Sequence, residues 1–288
     1  FDVILDGANG IPFFTPLYSR IPKIALVHHV HSEVFFRELP LHLAHLANLM
    51  ERVGMPLVYR HVPFVTVSES SRRALVKLGI PAEQISIVHN GVDCTWYRPG
   101  AKSDTPLVAF LGRLRHYKSV DVALRAMPAL LDSVPSTRFS IAGSGPARPS
   151  LHALVRELGI GDHVEFLGHI SDRQKLLLLQ RAHVVVNPSL KEGWGLTVLE
   201  ANACGTPVVG ADVAGLRDSI QDGRTGRLVR HGDPQELAEA VGDLLLDHDR
   251  RNQLARNAQA WAAQFDWDRT SEQCLQLLAG CQVRRRKP

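Results

Sequence analysis

The chain has 288 residues, of which 45% are hydrophobic and 22% charged, with a formal net charge of +4 at pH 7. That length allows one large or two ordinary domains, and the composition is typical of a globular protein. The charge is too small to indicate nucleic-acid binding, and no apolar run approaches the roughly 20 residues of a membrane-spanning helix.

Two features bear on where the protein works. Four cysteines (Cys94, Cys204, Cys274 and Cys281) show neither paired nor metal-ligand spacing, which suits a reducing cytoplasm. The chain starts with a strand-like FDVIL and no signal peptide, so we expect an N-terminally truncated sequence. We therefore predict a cytoplasmic protein.

The first hundred residues alternate predicted strands and helices. Strands are predicted at 1–5, 24–27, 64–67 and 85–88, with a mostly helical segment at 33–59 and a helix that Ser68 caps. Leu39, Leu43, Leu46, Leu49 and Met50 fall roughly on one face of the helical segment. This alternation indicates a parallel, doubly wound sheet, and the polar stretch 94–106 is the candidate linker after it.

A second alternating series begins at residue 107. Strands are predicted at 107–111, 138–142, 164–167, 184–186 and 227–229, and helices at 120–133, 149–158, 173–181 and 234–246. The tail, residues 250–283, is predicted to be helical with a break near Phe265, and Arg284–Lys287 is a basic end.

The stretch VVVNPSLKEGWGLTVLEANACGTPVVG, residues 184–210, combines a strand, a glycine-rich turn, a helix and a second strand. Glu192 lies in the turn and Glu200 about one turn into the helix. Glycines allow close approach to a ligand, and the free amides of a helix start favour phosphate. The two carboxylates add acceptors for hydroxyl groups. Phosphate and polyol together indicate a nucleotide-sugar.

Two further turns follow predicted strands. Gly112 and Arg113, with Lys118 five residues on, could clamp a diphosphate, although a solvated basic loop explains the same residues. Gly143 and Gly145 suggest a dinucleotide site and an NAD-dependent enzyme as another reading. That fingerprint lacks its third glycine and its acid, so a tight turn supporting a phosphate loop is favoured.

Histidines and basic residues in the first half leave alternatives open. His28, His29 and His31 follow a strand, but no Asp, Glu or Cys completes a metal site, so a single catalytic or substrate-binding histidine is favoured over zinc. Core packing also accounts for any one of them. The basic side chains of Arg60, His61, Arg72, Arg73 and Lys77 could meet anionic lipid, or could simply be solvated.

The order and spacing of these motifs resemble a retaining glycosyltransferase of the GT-B fold, in glycosyltransferase family 4. The resemblance covers nearly the whole chain through SIVHNGVD, FLGRL…K, IAGSGP, VEFLGHIS, the 184–210 stretch, DGRTGRLV and FDW. It implies an α/β protein of two Rossmann-like domains, the first incomplete, and a C-terminal helix returning to the first domain. The domain boundaries expected are 1–99, 100–262 and 263–288.

The resemblance also implies roles for individual residues. Arg113 and Lys118 would neutralise the donor diphosphate, Glu192 would approach the sugar hydroxyls, and Glu200 would bind the ribose. His28, or else His31, matches the histidine near the reacting sugar. The other donor-binding positions implied are Gly112, Gly143, Gly145, His169, Ile170, Gly193, Trp194, Gly195, Leu196 and Thr197. Catalysis would rest on positioning and charge stabilisation, with retention of configuration and no metal or other cofactor.

The family pattern also includes strand and glycine-loop units ahead of residue 1 that this sequence does not contain. The main expectation is transfer of a sugar from a nucleotide-diphospho-sugar to a sugar, lipid or polysaccharide acceptor. The alternative is a catalytically incomplete, nucleotide-sugar-binding subunit or fragment. The expected partners are these substrates and, through the basic helices, the anionic inner face of a membrane, but no nucleic acid.

Overall fold

The computed structural model describes residues 2–285, which form two compact units. The first unit holds the chain up to Gly91 together with the segment from Phe265 onwards, and the second spans Val92–Gln264. Each unit is built on a parallel β-sheet with helices, which confirms the predicted class of two Rossmann-like domains. Residue 1 and the end of the basic tail, residues 286–288, lie outside the described residues.

Ten strands and twelve α-helices are present in residues 2–285. The strands are β1 Ile4–Gly7, β2 Lys23–Val27, β3 Phe64–Thr66, β4 Ile85–Ile87, β5 Leu107–Leu111, β6 Arg138–Ala142, β7 Val164–Gly168, β8 Val184–Asn187, β9 Val208–Ala211 and β10 Gly226–Val229. The helices are α1 Ser32–Glu38, α2 Leu41–Leu49, α3 Met55–Val58, α4 Glu69–Lys77, α5 Val120–Ser133, α6 Arg148–Glu157, α7 Asp172–Arg181, α8 Leu196–Ala203, α9 Leu216–Ser219, α10 Pro234–Leu246, α11 His248–Ala262 and α12 Trp267–Arg285.

The first unit has a four-stranded sheet in the order β1-β2-β3-β4. The predicted 33–59 helix is divided, because Pro40 disfavours a helical conformation in the residue before it and α1 ends at Glu38. A π-helical stretch, Met50–Gly54, then joins α2 to α3. At the end of α3, the buried Tyr59 hydroxyl donates to Asp6 at 2.6 Å, and burial together with this bond raises the pKa of Tyr59.

Helix α12 packs on the first unit, as the sequence predicts. Its Cys274, Leu277, Leu278 and Cys281 contact the buried side chains of Ile24, Val65 and Val88. At the start of this segment a Cβ on Gly91 would lie 2.5 Å from the backbone nitrogen of Trp267, so glycine permits the close approach. The Thr270 hydroxyl adds a hydrogen bond to the carbonyl of His89.

The second unit has a six-stranded sheet in the order β10-β9-β8-β5-β6-β7. Helices α5 and α10 pack against each other and against one face of the sheet. Their contact surface includes the fully buried Leu124 and Leu244, which belong to a core that continues into Phe110 and Val209 of the strands. This core holds the strand order that positions the loops described below.

The stretch 94–106 is not a free linker, contrary to the sequence prediction. Its Lys102 ammonium donates to the carbonyl of Ala182 at 2.8 Å and to the Thr206 hydroxyl at 2.6 Å. Burial, more than its charged neighbours, lowers the pKa of Lys102 to about 8. Because this polar segment satisfies its hydrogen bonds on the second unit, the units divide at Gly91 rather than at residue 99.

A half-buried histidine just before β8, His183, makes the stability of the second unit depend on pH. His183 Nδ1 accepts a hydrogen bond from the Leu107 amide at 3.1 Å, which requires the neutral ring. Burial, followed by the nearby charges of Arg251 and Lys102, lowers the pKa of His183 to about 4. The unfolded chain therefore binds a proton at this residue at higher pH than the folded chain does.

We expect the His183 contribution to stability to be complete above about pH 6.5 and to be lost as the pH falls towards 4. Replacing His183→Gln keeps an acceptor for the Leu107 amide and removes the titration. The difference in free energy of unfolding between wild type and variant, measured by urea titration, should shift in favour of the variant between pH 6.5 and pH 4. A pH-independent difference would contradict the assignment.

Candidate functional site

The loops that carry the predicted donor residues follow four neighbouring strands. β5 lies between β8 and β6, and β7 lies beyond β6, all four being parallel. Their C-terminal ends therefore share one edge of the sheet. After β5 the chain adds β6 and β7 on one side of it, and it later adds β8 on the other side. The direction in which successive strands are added to the sheet therefore reverses beside β5. Open α/β sheets bind ligands outside such a reversal.

Gly143 and Gly145 serve the packing of this edge. A Cβ on Gly143 would lie 1.8 Å from the carbonyl oxygen of Gly112, and one on Gly145 would lie 2.3 Å from that of Leu114. Hydrogen bonds from the Gly112 amide to Ala142 and from the Leu114 amide to Ser144 tie the loops together. The two glycines thus allow the tight turn after β6 to pack directly against the Gly112–Arg113 loop and support it.

Lys118 and Glu192 are in contact across the reversal. The Lys118 ammonium lies 2.5 Å from Glu192 Oε1, with both side chains less than one-fifth exposed. The Ser189 hydroxyl lies 3.1 Å from the same carboxylate oxygen and the Asn187 amide 3.4 Å from it. Two residues predicted from separate motifs, 74 positions apart, therefore form one ion pair.

Arg113 lies beside this pair in sequence but is exposed. Its Nη2 donates to the Tyr117 hydroxyl at 3.0 Å, and Tyr117 is itself buried. The Lys118 ammonium lies 5.2 Å from the centre of the Tyr117 ring. Tyr117 therefore contacts both of the cations predicted to bind the diphosphate, Arg113 and Lys118.

Glu200 forms a second ion pair on α8. Its Oε1 accepts from the Lys175 ammonium of α7 at 2.7 Å, and that ammonium lies 5.2 Å from the ring centre of Tyr97. Burial alone would lower the pKa of Lys175, but the hydrogen bond to Glu200 and the contact with Tyr97 raise it above its ordinary value. Burial, mainly, raises the pKa of Tyr97 to about 12.

The segment from Gly193 to Thr197 forms the entry to α8. Gly195 has φ +81°, a left-handed conformation that favours glycine, and the helix begins at the next residue, Leu196. The side chain of Trp194 is only 3% exposed, so it packs in the interior and offers no surface for stacking. The segment can offer backbone amides to a ligand, since the first amides of a helix have no partner within it, and the Leu196 side chain is 40% exposed beside them.

His169 and Ile170 follow β7, after Gly168 at φ +68°. His169 is exposed and Ile170 half-buried. Ile170 also lines one end of a cavity of about 570 Å³ between α7 and strands β6 and β7. The other predicted donor residues do not line that cavity, whose walls are Leu107, Ser140, Glu165, Leu167 and Leu177 among others.

In the first unit, His28 follows β2 and is held through its backbone and ring. Its amide donates to Asn9 Oδ1 at 2.7 Å, its Nδ1 lies 3.1 Å from the same oxygen, and its carbonyl accepts from Ser71. Burial, followed by the proximity of His31, lowers the pKa of His28. The neutral ring is therefore favoured at physiological pH.

His31 is positioned by a carboxylate that the sequence analysis missed. Glu51, in the π-helical stretch and only 2% exposed, accepts from the His31 amide at 2.6 Å and from the Ser32 hydroxyl at 2.8 Å. The His31 ring stacks on that of His29 with 4.0 Å between their centres. Within residues 2–285, no group of three or more His, Cys, Asp or Glu side chains is placed to hold a metal ion.

Comparisons with known proteins agree on one family. The model described as "Glycosyl transferases group 1" matches residues 97–261, and that described as "Glycosyltransferase Family 4" matches residues 1–96. The chain belongs to the glycosyl transferases group 1 family. It is 37% identical over 226 residues to a D-inositol 3-phosphate glycosyltransferase of Nocardia farcinica, covering 73% of this chain and 50% of that protein.

A second relative of the same name, from Mycobacterium avium, is 39% identical over 208 residues, covering 67% of this chain and 48% of that protein. The chain thus spans about half the length of the curated relatives it matches. Among solved structures, Anabaena Alr3699/HepE in complex with UDP and glucose superposes with a TM-score of 0.83 at 22% identity, covering 97% of this chain and 78% of that one. Sucrose-phosphate synthase from Thermosynechococcus elongatus gives 0.81 at 22%, covering 96% and 73%. These likenesses establish the GT-B fold.

Several polar partners in this family member could not be found from its motifs. Lys175, Tyr97, Asn187 and Ser189 contact the predicted carboxylates, yet each looks like an ordinary helix or loop residue in the sequence. Only Ser189 had a local signal, since it lies in the loop of Glu192. Glu51 had none, because its partners lie 19 and 20 positions away.

Replacing Gly143→Ala should destabilise the second unit by about 3 kcal/mol or more, because the new Cβ overlaps the Gly112 carbonyl and separates two loops. Thermal unfolding measures the effect. Gly161→Ala is the matched control, since nothing lies within 4 Å of a Cβ there, and it should change the midpoint little. Equal midpoints for the two variants would show that the loops do not depend on this contact.

Proposed function

We propose that the protein binds a nucleotide-diphospho-sugar at the loop edge of the second unit and transfers the sugar to an acceptor hydroxyl with retention of anomeric configuration. The observation that carries the proposal is the Lys118–Glu192 ion pair at the sheet reversal. It brings together a cation suited to a diphosphate and a carboxylate suited to sugar hydroxyls.

The ion pair gives a physical reason for the two binding roles. A bound diphosphate competes with Glu192 for the Lys118 ammonium, because phosphate oxygens are strong acceptors for a point charge. As Lys118 turns to the phosphate, the Glu192 carboxylate becomes available to the sugar. Arg113, exposed and held at one nitrogen by Tyr117, adds a second cation with further donors.

Glu200 is proposed to bind the ribose hydroxyls of the nucleotide. Lys175 holds this carboxylate in place while contacting only Oε1 among the bonds described. An ionised carboxylate accepts hydrogen bonds from two neighbouring hydroxyls, which suits the ribose diol. The backbone amides at the start of α8 are proposed to meet the phosphate and the sugar.

In the proposed reaction the acceptor oxygen bonds to the anomeric carbon as the bond to the leaving phosphate breaks. The acceptor proton passes to the departing phosphate oxygen on the same face, so configuration is retained. Arg113 and Lys118 stabilise the negative charge that develops on the leaving group. His28, neutral and held by Asn9, is proposed to contact the reacting sugar.

The comparisons support this proposal through the printed names of the matched proteins. Alr3699/HepE has structures with UDP and with UDP-glucose, and the relatives are named D-inositol 3-phosphate glycosyltransferases. We therefore propose a uridine or similar nucleotide sugar as donor and a hydroxyl-bearing acceptor, with a polyol phosphate as the first acceptor to test.

Two other expectations remain proposals. One is that the reaction needs no metal, since Arg113 and Lys118 supply positive charge. The other is a cytoplasmic location with contact at the inner face of a membrane. No helix within residues 2–285 has the length and apolar character to traverse a bilayer. The basic residues first considered for lipid contact are partly neutralised, because Glu69 pairs with Arg72 and Arg73.

Donor binding is tested by calorimetry and thermal unfolding with UDP-, GDP- and ADP-sugars. At a concentration about 100 times Kd, the cognate donor should stabilise the protein by about 2.7 kcal/mol. Arg113→Gln and Glu200→Gln should each weaken binding by about 10- to 100-fold, the loss of a charged hydrogen bond. Arg125→Gln and Glu157→Gln, exposed residues on α5 and α6, are matched controls that should bind normally.

Absence of binding by any of the donors would overturn the proposal. If the donor binds, radiolabelled transfer to acceptors including D-inositol 3-phosphate tests turnover, and the anomeric coupling in the product's NMR spectrum tests retention. Binding without transfer or hydrolysis would favour the alternative of a nucleotide-sugar-binding chain that needs further sequence or a partner.

A further inference from the structure

The residue that follows Lys118 has a strained backbone. Ser119 has φ 50° and ψ 38°, which lie in the left-handed region, and the residue is buried. In the part of the chain that the structure describes, Phe14 is the only other residue besides the glycines with a positive φ. This conformation brings the Cβ of an L-residue too close to the following carbonyl oxygen, so it persists only where the surrounding structure holds it.

Ser119 connects the turn that carries Lys118 to helix α5. Its amide donates to the carbonyl of His116 at 3.0 Å, which closes the single 3₁₀ turn His116–Lys118. Its own carbonyl accepts from the Val122 amide at 3.0 Å, in the first turn of α5. If Ser119 relaxed to an ordinary conformation, the chain would leave the turn in another direction. Lys118 would then move relative to α5.

The Ser119 hydroxyl has a partner in a distant loop. Its oxygen lies 3.1 Å from Nε2 of His231, which is 112 positions further along the chain. This bond forms with either tautomer of the histidine ring, because a hydroxyl both donates and accepts. His231 is half-buried and follows β10, which has β9 and β8 between it and β5 in the sheet. The support of the strained residue therefore comes from the far side of the sheet.

The residue before Lys118 is anchored separately. The Leu190 amide donates to the carbonyl of the buried Tyr117 at 2.8 Å, which ties the turn to the loop of Glu192. Tyr117 needs no unusual conformation for this bond, whereas Ser119 does. The backbone of Lys118 thus has one relaxed anchor and one strained anchor. We expect the strained one to fail first when a supporting contact is removed.

We propose that His231 is a positioning residue for the donor site, because its bond to Ser119 holds the left-handed turn that keeps Lys118 beside Glu192. The inference rests on the proposed function, in which Lys118 meets the donor diphosphate. Its distinctive consequence concerns glycine. A glycine at position 119 adopts the left-handed conformation without help, because it has no Cβ. The protein should therefore need His231 when residue 119 is serine and not when it is glycine.

Calorimetry with UDP-, GDP- and ADP-glucose tests this dependence. For any donor that binds the wild type, His231→Ala should weaken binding about 5- to 10-fold, the scale of one lost hydrogen bond. Ser119→Ala should cause a similar loss, and the two changes together should cause no further loss. In a Ser119→Gly background, His231→Ala should alter Kd less than about twofold. His231→Gln keeps a hydrogen-bonding group at a similar reach and should restore most of the affinity.

Amide hydrogen exchange measured by NMR tests the turn itself without any donor. The Ser119 and Val122 amides should exchange at least about tenfold faster in His231→Ala than in the wild type. In the Ser119→Gly background, the Val122 amide should exchange at the same rate with and without His231→Ala. His248→Ala, which changes an exposed histidine at the start of α11, is the matched control and should leave binding and exchange unaltered. Circular dichroism and thermal unfolding of each variant check folding.

The outcomes separate this role from the proposed function. If the wild type binds none of the donors, the proposed function fails and the role in donor binding fails with it. If the wild type binds a donor and His231→Ala binds equally well, only the role of His231 is overturned. An equal loss of affinity with serine and with glycine at position 119 would also overturn it, and would indicate direct contact between His231 and the donor. Unchanged exchange in His231→Ala would show that the turn does not depend on this bond.

Discussion

The position of β5 in the second sheet is the constraint on which the candidate site depends. Its hydrogen bonds to β8 on one side and β6 on the other, all in parallel, place the ends of these strands at one edge. Lys118 and Glu192 meet because they follow two strands that are neighbours in the sheet and distant in the sequence. The core formed by α5, α10 and the strands fixes this order. The ion pair is therefore a consequence of strand topology as much as of local loop structure.

Much of the fold followed from local patterns. The alternation of apolar strands with amphipathic helices predicted both sheets, and Pro234 after Asp233 predicted the start of α10 correctly. The family motifs predicted the return of α12 to the first unit. The roles of the donor residues remain predictions. The structure places Lys118 in contact with Glu192, and it puts the loops of Arg113, Gly143, His169 and Glu192 at one edge of the sheet.

What the sequence could not predict depends on contacts between distant residues. Lys175 reaches Glu200 because α7 and α8 pack together, and nothing in the local sequence of Lys175 distinguishes it from a solvated lysine. The segment 94–106 has the composition of a linker, yet Lys102 finds buried acceptors on the second unit. The periodic leucines of 39–50 predicted a helix correctly, but periodicity does not tell whether an apolar face is covered by the rest of the protein.

The π-helical stretch at Met50–Gly54 allows one helical segment to take part in two separate hydrogen-bond networks. Buried residues recur every four positions at Ala47, Glu51, Met55 and Tyr59. In a regular α-helix, with 3.6 residues in a turn, each such step would rotate the buried side by about 40°. A wider π turn reduces that rotation. Glu51 therefore stays under the His31 loop while Tyr59 still reaches Asp6. This one π turn therefore corrects the rotation of the buried side along the helical segment. It keeps the histidine loop and the β1 end in register with one another, and it leaves the opposite side of the segment facing outward along its whole length.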